Sequence, residues 1–181
     1  AQKATLLLLD AEEGNAPLEQ LSAALGRSTV IVILGSGEPI FEQRLLQVAH
    51  RCPNVLFLNG YSELLSDPLY AAGDLFLMPS SFEPCGISQM LAMRSGQPCV
   101  VHGVGGLRDT VRHGETGFVF SGSTTREQAD NFTAATLAAL QQRADDPVGW
   151  KAVCDEARAQ RFSWELSARR TISELYGINN D

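Results

Sequence analysis

Six short apolar runs, separated by segments with helical spacing, constrain the fold of this chain most strongly. The runs are rich in Val, Ile, Leu and Phe, and they occupy residues 5–10, 29–35, 54–60, 74–79, 98–103 and 117–120. Apolar residues at successive positions indicate strands that are buried on both faces of a sheet. Because helical segments lie between the runs, the pattern predicts a doubly wound, Rossmann-like α/β fold with a six-stranded parallel sheet.

The chain after residue 120 is predicted to contain helices only. Residues 126–143 carry apolar side chains at helical spacing, and Pro147 can start a second helix. Ser163 can cap a last helix over residues 164–176. Since no linker or internal repeat interrupts the sequence, residues 1–181 are predicted to form a single domain with C-terminal helices.

Composition and charge narrow the classes of partner. The chain is 44% apolar and 19% charged, which is typical of globular proteins. Its net charge of −7 argues against a broad surface for nucleic acid or anionic membrane. It does not exclude a local pocket for phosphate. With no apolar run of the ~18 residues that a membrane helix needs, and no signal peptide, a cytoplasmic location is expected. The start at Ala1, without methionine, indicates a piece of a longer protein.

The four cysteines and three histidines predict no metal site. The cysteines at 52, 85, 99 and 154 are too widely spaced for a CxxC site or a disulfide framework, so reduced thiols are expected. The histidines at 50, 102 and 113 stand far apart, and lone histidines are usually structural or solvated.

The segment from Leu77 to Gln89 carries the strongest functional signal. It leads an apolar run into a carboxylate, Glu83, and then into a Pro-Cys-Gly turn that can open a helix. In α/β proteins ligands are held where a strand ends and a helix begins, because free N–H groups point into the crevice. Glu83 is therefore either a sugar or ribose ligand or a local charge partner, the latter worth ~0.5 kcal/mol through the helix dipole. Cys85 is a weak candidate nucleophile, since no histidine is close in sequence.

Two further turns follow apolar runs. Gly105 and Gly106 precede the segment LRDTV, and glycine backbone can approach a phosphate closely, although such a turn is more often only a loop. Tyr61 follows the run at 54–60, where an aromatic ring can stack on a nucleobase or pack at the sheet edge.

These motifs together resemble a known family. FEPCG at residues 82–86 with Gln89 three positions later, GGLRDTV at 105–111 and FSW at 162–164 are similar to the C-terminal half of bacterial glycogen synthases and plant starch synthases. Those enzymes are glycosyltransferases of the GT-B architecture, with two Rossmann-like domains facing each other across a cleft. The resemblance implies that this chain is the second domain and that the N-terminal domain is a missing partner.

The resemblance also implies roles for individual residues. Glu83 is expected to be the catalytic residue and to lie against the donor sugar, helped by the amides of Cys85 and Gly86. The remaining assignments are Gly105, Gly106 and Leu107 to the diphosphate and Tyr61 to the base. The implied donor is ADP-glucose or UDP-glucose and the acceptor an α-glucan, with a retaining mechanism and no metal or other cofactor. The isolated fragment is expected to bind donor but to transfer glucose poorly.

One loop departs from the family pattern. The family carries an arginine and a lysine where this chain aligns Leu8 and Glu13, with Glu12 beside it. A carboxylate ~5 Å from a diphosphate opposes binding by roughly a kcal/mol or more. This departure supports a competing hypothesis, a degenerate GT-B domain with a regulatory or assembly role. A third class, an epimerase or reductase, is disfavoured because no GxGxxG follows the first run.

Overall fold

The computed structural model describes residues 4–177. Its helices and strands alternate through the first two thirds of the chain, and three helices follow. In chain order the elements are α1 (Ala4–Leu7), α2 (Pro17–Leu25), β1 (Ile31–Gly35), α3 (Pro39–Arg51), β2 (Val55–Asn59), α4 (Glu63–Ala72), β3 (Phe76–Met78), α5 (Ser88–Arg94), β4 (Cys99–His102), α6 (Gly105–Thr110), β5 (Gly117–Phe120), α7 (Thr125–Asp145), α8 (Pro147–Ala159) and α9 (Trp164–Tyr176).

All strand pairs are parallel. β1 pairs with β2, with Ile33 opposite Phe57, and β4 lies between β3 and β5, with Val101 opposite both Met78 and Val119. A helix connects each strand to the next, as parallel pairing requires. The predicted α/β class with a parallel sheet and C-terminal helices is therefore confirmed.

The prediction of six strands in one sheet is wrong, because the first predicted strand is a helix and the other five strands form two sheets. Residues 4–7 form α1, and a short 3-10 turn at Ala11–Glu13 follows. Apart from Thr5 the predicted first run has no β-branched residue, and leucine is a good helix former. Leu6 and Leu8 are buried, and α1 packs on α2 and α7.

The loss of that strand explains why the described strands form two sheets. In the usual Rossmann order, 3-2-1-4-5-6, the first strand of the chain lies at the centre. Here a two-stranded sheet, β1–β2, and a three-stranded sheet, β3–β4–β5, are separate. In that order the missing first strand would lie between β1 and β3.

Two apolar clusters surround the strands. The larger one joins α1, α2, α3 and α7 to β1 and β2, and the fully buried Phe132 of α7 lies 5.4 Å from Phe120 of β5, measured between ring centroids. The smaller cluster lies beneath the loops after β3 and β4, and it contains Met78, Met93 and Leu107. This second cluster supports the segments that carry the candidate functional residues.

The C-terminal helices differ in how they pack. α8 packs on α5 and α7, and Trp150 stacks on Phe118. In α9, the hydroxyl of Ser163 accepts a hydrogen bond from the Leu166 amide at 3.3 Å, as a helix cap should. Every residue of α9 is exposed, including Trp164 at 91%. No described helix has both the length and the apolar character needed to cross a bilayer.

Candidate functional site

The loops after β3 and β4 meet at the carboxyl end of the three-stranded sheet. The amide of Gly106 donates a hydrogen bond to the carbonyl oxygen of Glu83 at 3.2 Å. A Cβ atom on Gly105 would lie 2.0 Å from that same oxygen, and one on Gly106 would lie 2.3 Å from the carbonyl oxygen of Cys85. Gly105 also has a φ of +46°. Only glycines permit this approach, so the structure brings both sequence motifs together.

The side chain of Gln89 holds the Pro-Cys-Gly turn through hydrogen bonds. This side chain is fully buried, and its Nε2 donates to the carbonyl oxygens of Cys85 at 3.1 Å and Gly86 at 2.7 Å. Gly86 has a φ of +77°, and a Cβ there would lie 2.3 Å from Gln89 Oε1. The turn is therefore built for glycine at position 86.

Glu83 and Cys85 differ from the buried residues around them. Glu83 is half-buried and Cys85 is exposed. By contrast, the Cys99 thiol is completely enclosed, and this burial raises its pKa strongly. All four thiols are unpaired. Among the described residues no group of three or more His, Cys, Asp or Glu is arranged to hold a metal ion.

Two of the amides assigned to the diphosphate, those of Gly106 and Leu107, have partners within the protein. Gly106 N–H bonds to Glu83, and Leu107 N–H donates to the carbonyl oxygen of Val104 at 3.1 Å. The Leu107 side chain is fully buried in the smaller apolar cluster. Leu107 can therefore meet a ligand only through its backbone.

Tyr61 stands apart from this group. It follows β2, in the two-stranded sheet, and its side chain is 83% exposed. Its hydroxyl donates to Glu63 Oε1 at 3.0 Å, and this hydrogen bond, with the repulsion between phenolate and carboxylate, raises the pKa of Tyr61. The carboxyl-edge position is as expected, but the hydrogen bonds that join Glu83, Cys85 and Gly106 do not include Tyr61.

Glu42 organises the same end of the two-stranded sheet, and the sequence did not reveal it. Its carboxylate accepts hydrogen bonds from Gly37 N–H at 2.8 Å and from Asn59 Nδ2 at 3.1 Å. These two bonds lower the pKa of Glu42. The residue thus ties the loop after β1 to the end of β2, just before Tyr61.

His102 plays a comparable part between β3 and β4. Its ring is buried, stacks on Phe120, and places Nδ1 2.8 Å from the carbonyl oxygen of Ser80. Since a carbonyl oxygen only accepts, Nδ1 carries the proton and donates. In the sequence His102 was a lone histidine and was assigned no function. Its position at the end of the run CVVH was the one feature that could have indicated its role.

The acidic loop after α1 is balanced by two arginines. Glu12 pairs with Arg44 of α3, and Asp10 pairs with Arg126 of α7. Asp10 also has a φ of +60°, which is uncommon outside glycine. Part of the negative charge noted in the sequence is therefore neutralised within the chain.

The fold and the site together define a class of protein. Parallel strands alternate with helices, and a carboxylate loop and a glycine turn meet at the carboxyl ends of neighbouring strands, where α/β proteins bind their ligands. Residues 15–142 match the family model described as glycosyl transferases group 1. The chain belongs to this family.

Within that class, the similar proteins include glycogen and starch synthases, which confirms the resemblance noted in the sequence. The Glycogen synthase of Streptococcus sanguinis (strain SK36) is 42% identical over 165 residues, 88% of this chain and 34% of the relative. The catalytic domain of Starch Synthase IV from Arabidopsis thaliana, bound to ADP and acarbose, has a TM-score of 0.76 at 31% identity, covering 97% of this chain and 36% of that chain. The chain thus spans about a third of the length of these relatives.

A more distant structure shares the fold. Anabaena HepE in complex with UDP-glucose has a TM-score of 0.67 at 24% identity, covering 98% of this chain and 46% of that chain.

Proposed function

We propose that this chain is the donor-binding domain of a retaining glycosyltransferase that moves glucose from a nucleotide sugar to an α-glucan, as glycogen and starch synthases do. The observation that carries the proposal is the backbone contact between the Glu83–Gly86 loop and the Gly105–Gly106 turn. It places a carboxylate loop and a glycine turn at one sheet edge. The similarity to the S. sanguinis Glycogen synthase supports the same reaction class.

In this proposal the donor lies across the two loops. Glu83 is the catalytic residue beside the sugar, with the amides of Cys85 and Gly86. The start of α6, at Gly105, Gly106 and Leu107, stabilises the diphosphate as it departs, because oriented N–H groups stabilise developing negative charge. The amides of Gly106 and Leu107 have to exchange their bonds to Glu83 and Val104 for bonds to phosphate.

The base is proposed to stack on Tyr61, whose exposure leaves its ring accessible. ADP is the first nucleotide to test, because the starch synthase structure contains ADP, whereas HepE contains UDP-glucose. No metal or cofactor other than the donor enters the proposal.

The acceptor is proposed to bind mainly to a further GT-B domain outside residues 1–181, which themselves act as one nucleotide-sugar-binding domain. The chain covers 34% of the S. sanguinis relative, which leaves room for such a partner. The exposed apolar side chains of α9, among them Trp164 and Leu175, offer it a contact surface. The isolated chain is therefore expected to bind donor while transferring glucose slowly; elongation of glucan at ordinary rates by this chain would contradict that.

Calorimetric titration with ADP, UDP and ADP-glucose tests the proposal. We expect saturable ADP binding that weakens about tenfold in Tyr61→Ala, the loss of ~1.4 kcal/mol that one good stacking contact supplies. Tyr176→Ala is the matched control, because Tyr176 is also well exposed but lies on α9. Absence of binding by the folded chain would reject donor binding by these residues alone, in favour of the degenerate module or of a site completed only by the further domain. Recovery of affinity in Glu13→Lys would identify the degenerate module and trace the loss to the acidic loop.

A further inference from the structure

Gln89 connects the two loops of the candidate site through a continuous set of hydrogen bonds. Its Nε2 donates to the carbonyls of Cys85 and Gly86, and it lies 3.3 Å from the hydroxyl oxygen of Thr110. That hydroxyl in turn donates to the carbonyl oxygen of Gly106 at 2.7 Å. One buried carboxamide thus reaches the Pro-Cys-Gly turn directly and the start of α6 through a single intermediate.

A glutamine is an unfavourable choice here if packing alone is considered. Gln89 is completely buried, and its Oε1 has no hydrogen-bond partner in the described part of the chain. An apolar side chain of similar size would fill the same volume without a buried Oε1, but it would take the Nε2 donor away from the carbonyl oxygens of Cys85 and Gly86. A buried polar side chain that bonds the loops of a candidate site is expected to serve that site.

The contacts of Gln89 with the Pro-Cys-Gly turn and, through Thr110, with the start of α6 are called the clamp. The surrounding glycines leave no room for further atoms beside it. The position of a Cβ on Gly86 is occupied by the Gln89 carboxamide, and that of a Cβ on Gly106 by the backbone of Cys85. The turn therefore sits between Gln89 on one side and the start of α6 on the other. A shift of the turn has to move Gln89, the start of α6 or both.

We propose that Gln89, acting with Thr110, is the positioning residue that holds the proposed sugar loop and the proposed diphosphate turn as one rigid unit, and so sets the preference for a sugar nucleotide over the free nucleoside diphosphate. This inference rests on the proposed function. If the two loops move independently, a ligand that touches only one of them loses little, whereas a ligand that spans both loses the benefit of preorganisation.

The clamp is tested first without ligand, by hydrogen exchange measured on peptides covering residues 83–87 and 104–108. Gln89→Met is expected to accelerate exchange at least tenfold in both peptides, and Thr110→Val to do so more weakly. Gln97→Met is the matched control, because Gln97 is also buried with an unpaired Oε1 but lies outside the site. Acceleration in one peptide only, or equally in the control, would overturn the clamp. Thr110→Val keeps the test valid if Gln89→Met does not fold.

The preference is tested by calorimetry with ADP and ADP-glucose on the same variants. Gln89→Met is expected to weaken ADP-glucose binding about tenfold relative to ADP, while Gln97→Met leaves the ratio of the two dissociation constants unchanged. An unchanged ratio in Gln89→Met would overturn the preference. If the wild-type chain binds neither ligand, the proposed function and the preference both fail, and hydrogen exchange alone decides the clamp.

Discussion

At the scale of single residues, the candidate site depends on two glycines, because the backbone leaves no room for a side chain at their positions. Gly105 and Gly106 lie so close to the backbone of Glu83 and Cys85 that a methyl group has no room. Backbone atoms cannot rotate away as a flexible side chain can, so any larger residue has to push the two loops apart.

Gly106→Ala is therefore expected to lower the free energy of unfolding by about 1–3 kcal/mol, the usual cost of forcing extra atoms into a packed region. Urea denaturation measures it. Gly37→Ala is the control, because a Cβ at Gly37 meets nothing within 4 Å and the φ of Gly37 lies outside the left-handed region. There we expect a small gain of about 0.4–1 kcal/mol from a less flexible unfolded chain. Equal effects of both changes would refute the close approach.

Tyr61 allows a second test at this scale. The carboxylate of Glu63 accepts a hydrogen bond from the Tyr61 hydroxyl and repels the phenolate, so the pKa of Tyr61 is raised. Glu63→Gln removes the negative charge and is expected to lower the pKa of Tyr61 toward that of a free tyrosine. Ultraviolet absorbance during an alkaline titration measures it, with Tyr61→Phe identifying the signal among the three tyrosines. An unchanged titration would mean that the hydroxyl does not bond to Glu63.

At the scale of elements, polar side chains hold the ends of neighbouring strands together. Glu42 of α3 joins the loop after β1 to Asn59 at the end of β2, and His102 joins the end of β4 to Ser80 after β3. The loops of a parallel sheet all lie at its carboxyl edge, so such links decide how the loops face a ligand.

The Glu42 link is expected to depend on pH. Because the folded state lowers the pKa of Glu42, its contribution to stability is present above the unfolded pKa and is lost as the pH falls through the folded pKa. Glu42→Gln should thus be less stable than the wild type at pH 7, and the difference should vanish in acid. Urea denaturation across this range measures it, with Glu38→Gln at the same helix start as the control. A difference that persists at pH 2 would contradict the assignment.

α1 is the element whose type the sequence pattern misjudged, and its packing can be tested. Leu6 is fully buried, so Leu6→Ala is expected to cost about 2–5 kcal/mol of unfolding free energy through the cavity it leaves. Leu64→Ala, at a side chain that is 89% exposed, is the control and should change stability by less than about 0.5 kcal/mol. Similar small losses for both would show that α1 is not anchored in the core.

At the scale of the whole molecule, stability resides in the segment before α9. α7 contacts α1, α2, α8, β4 and β5, whereas α9 has no buried residue. α9 therefore contributes little to the apolar core.

Truncation after Phe162 is accordingly expected to change the free energy of unfolding by less than about 1 kcal/mol, since surface residues contribute little. Thermal and urea unfolding of the truncated chain measure it. A loss of several kcal/mol would mean that α9 packs against the rest of the chain. Truncation after residue 145, which removes α8 with the buried Trp150, is the contrasting variant and should destabilise strongly.

The sequence by itself determined the features that depend on neighbouring residues. Five of the six apolar runs became strands because continuous apolar segments bounded by turn residues are a local signal, and the helix start at Ser163 is likewise local. The glycines and Glu83 could be selected because they lie within a few residues of the ends of such runs. The resemblance to glycogen synthases also rested on short local motifs, and the S. sanguinis relative matches over 165 residues.

Only the tertiary structure decided the features that depend on partners distant in sequence. Residues 4–7 form a helix that packs on α2 and α7, and the short apolar run by itself suits a helix as well as a strand. The link between Gln89 and Thr110 spans 21 residues, and that between His102 and Ser80 spans 22. A buried polar side chain is recognised by the group that it bonds, and that group is chosen by the fold rather than by the sequence around it.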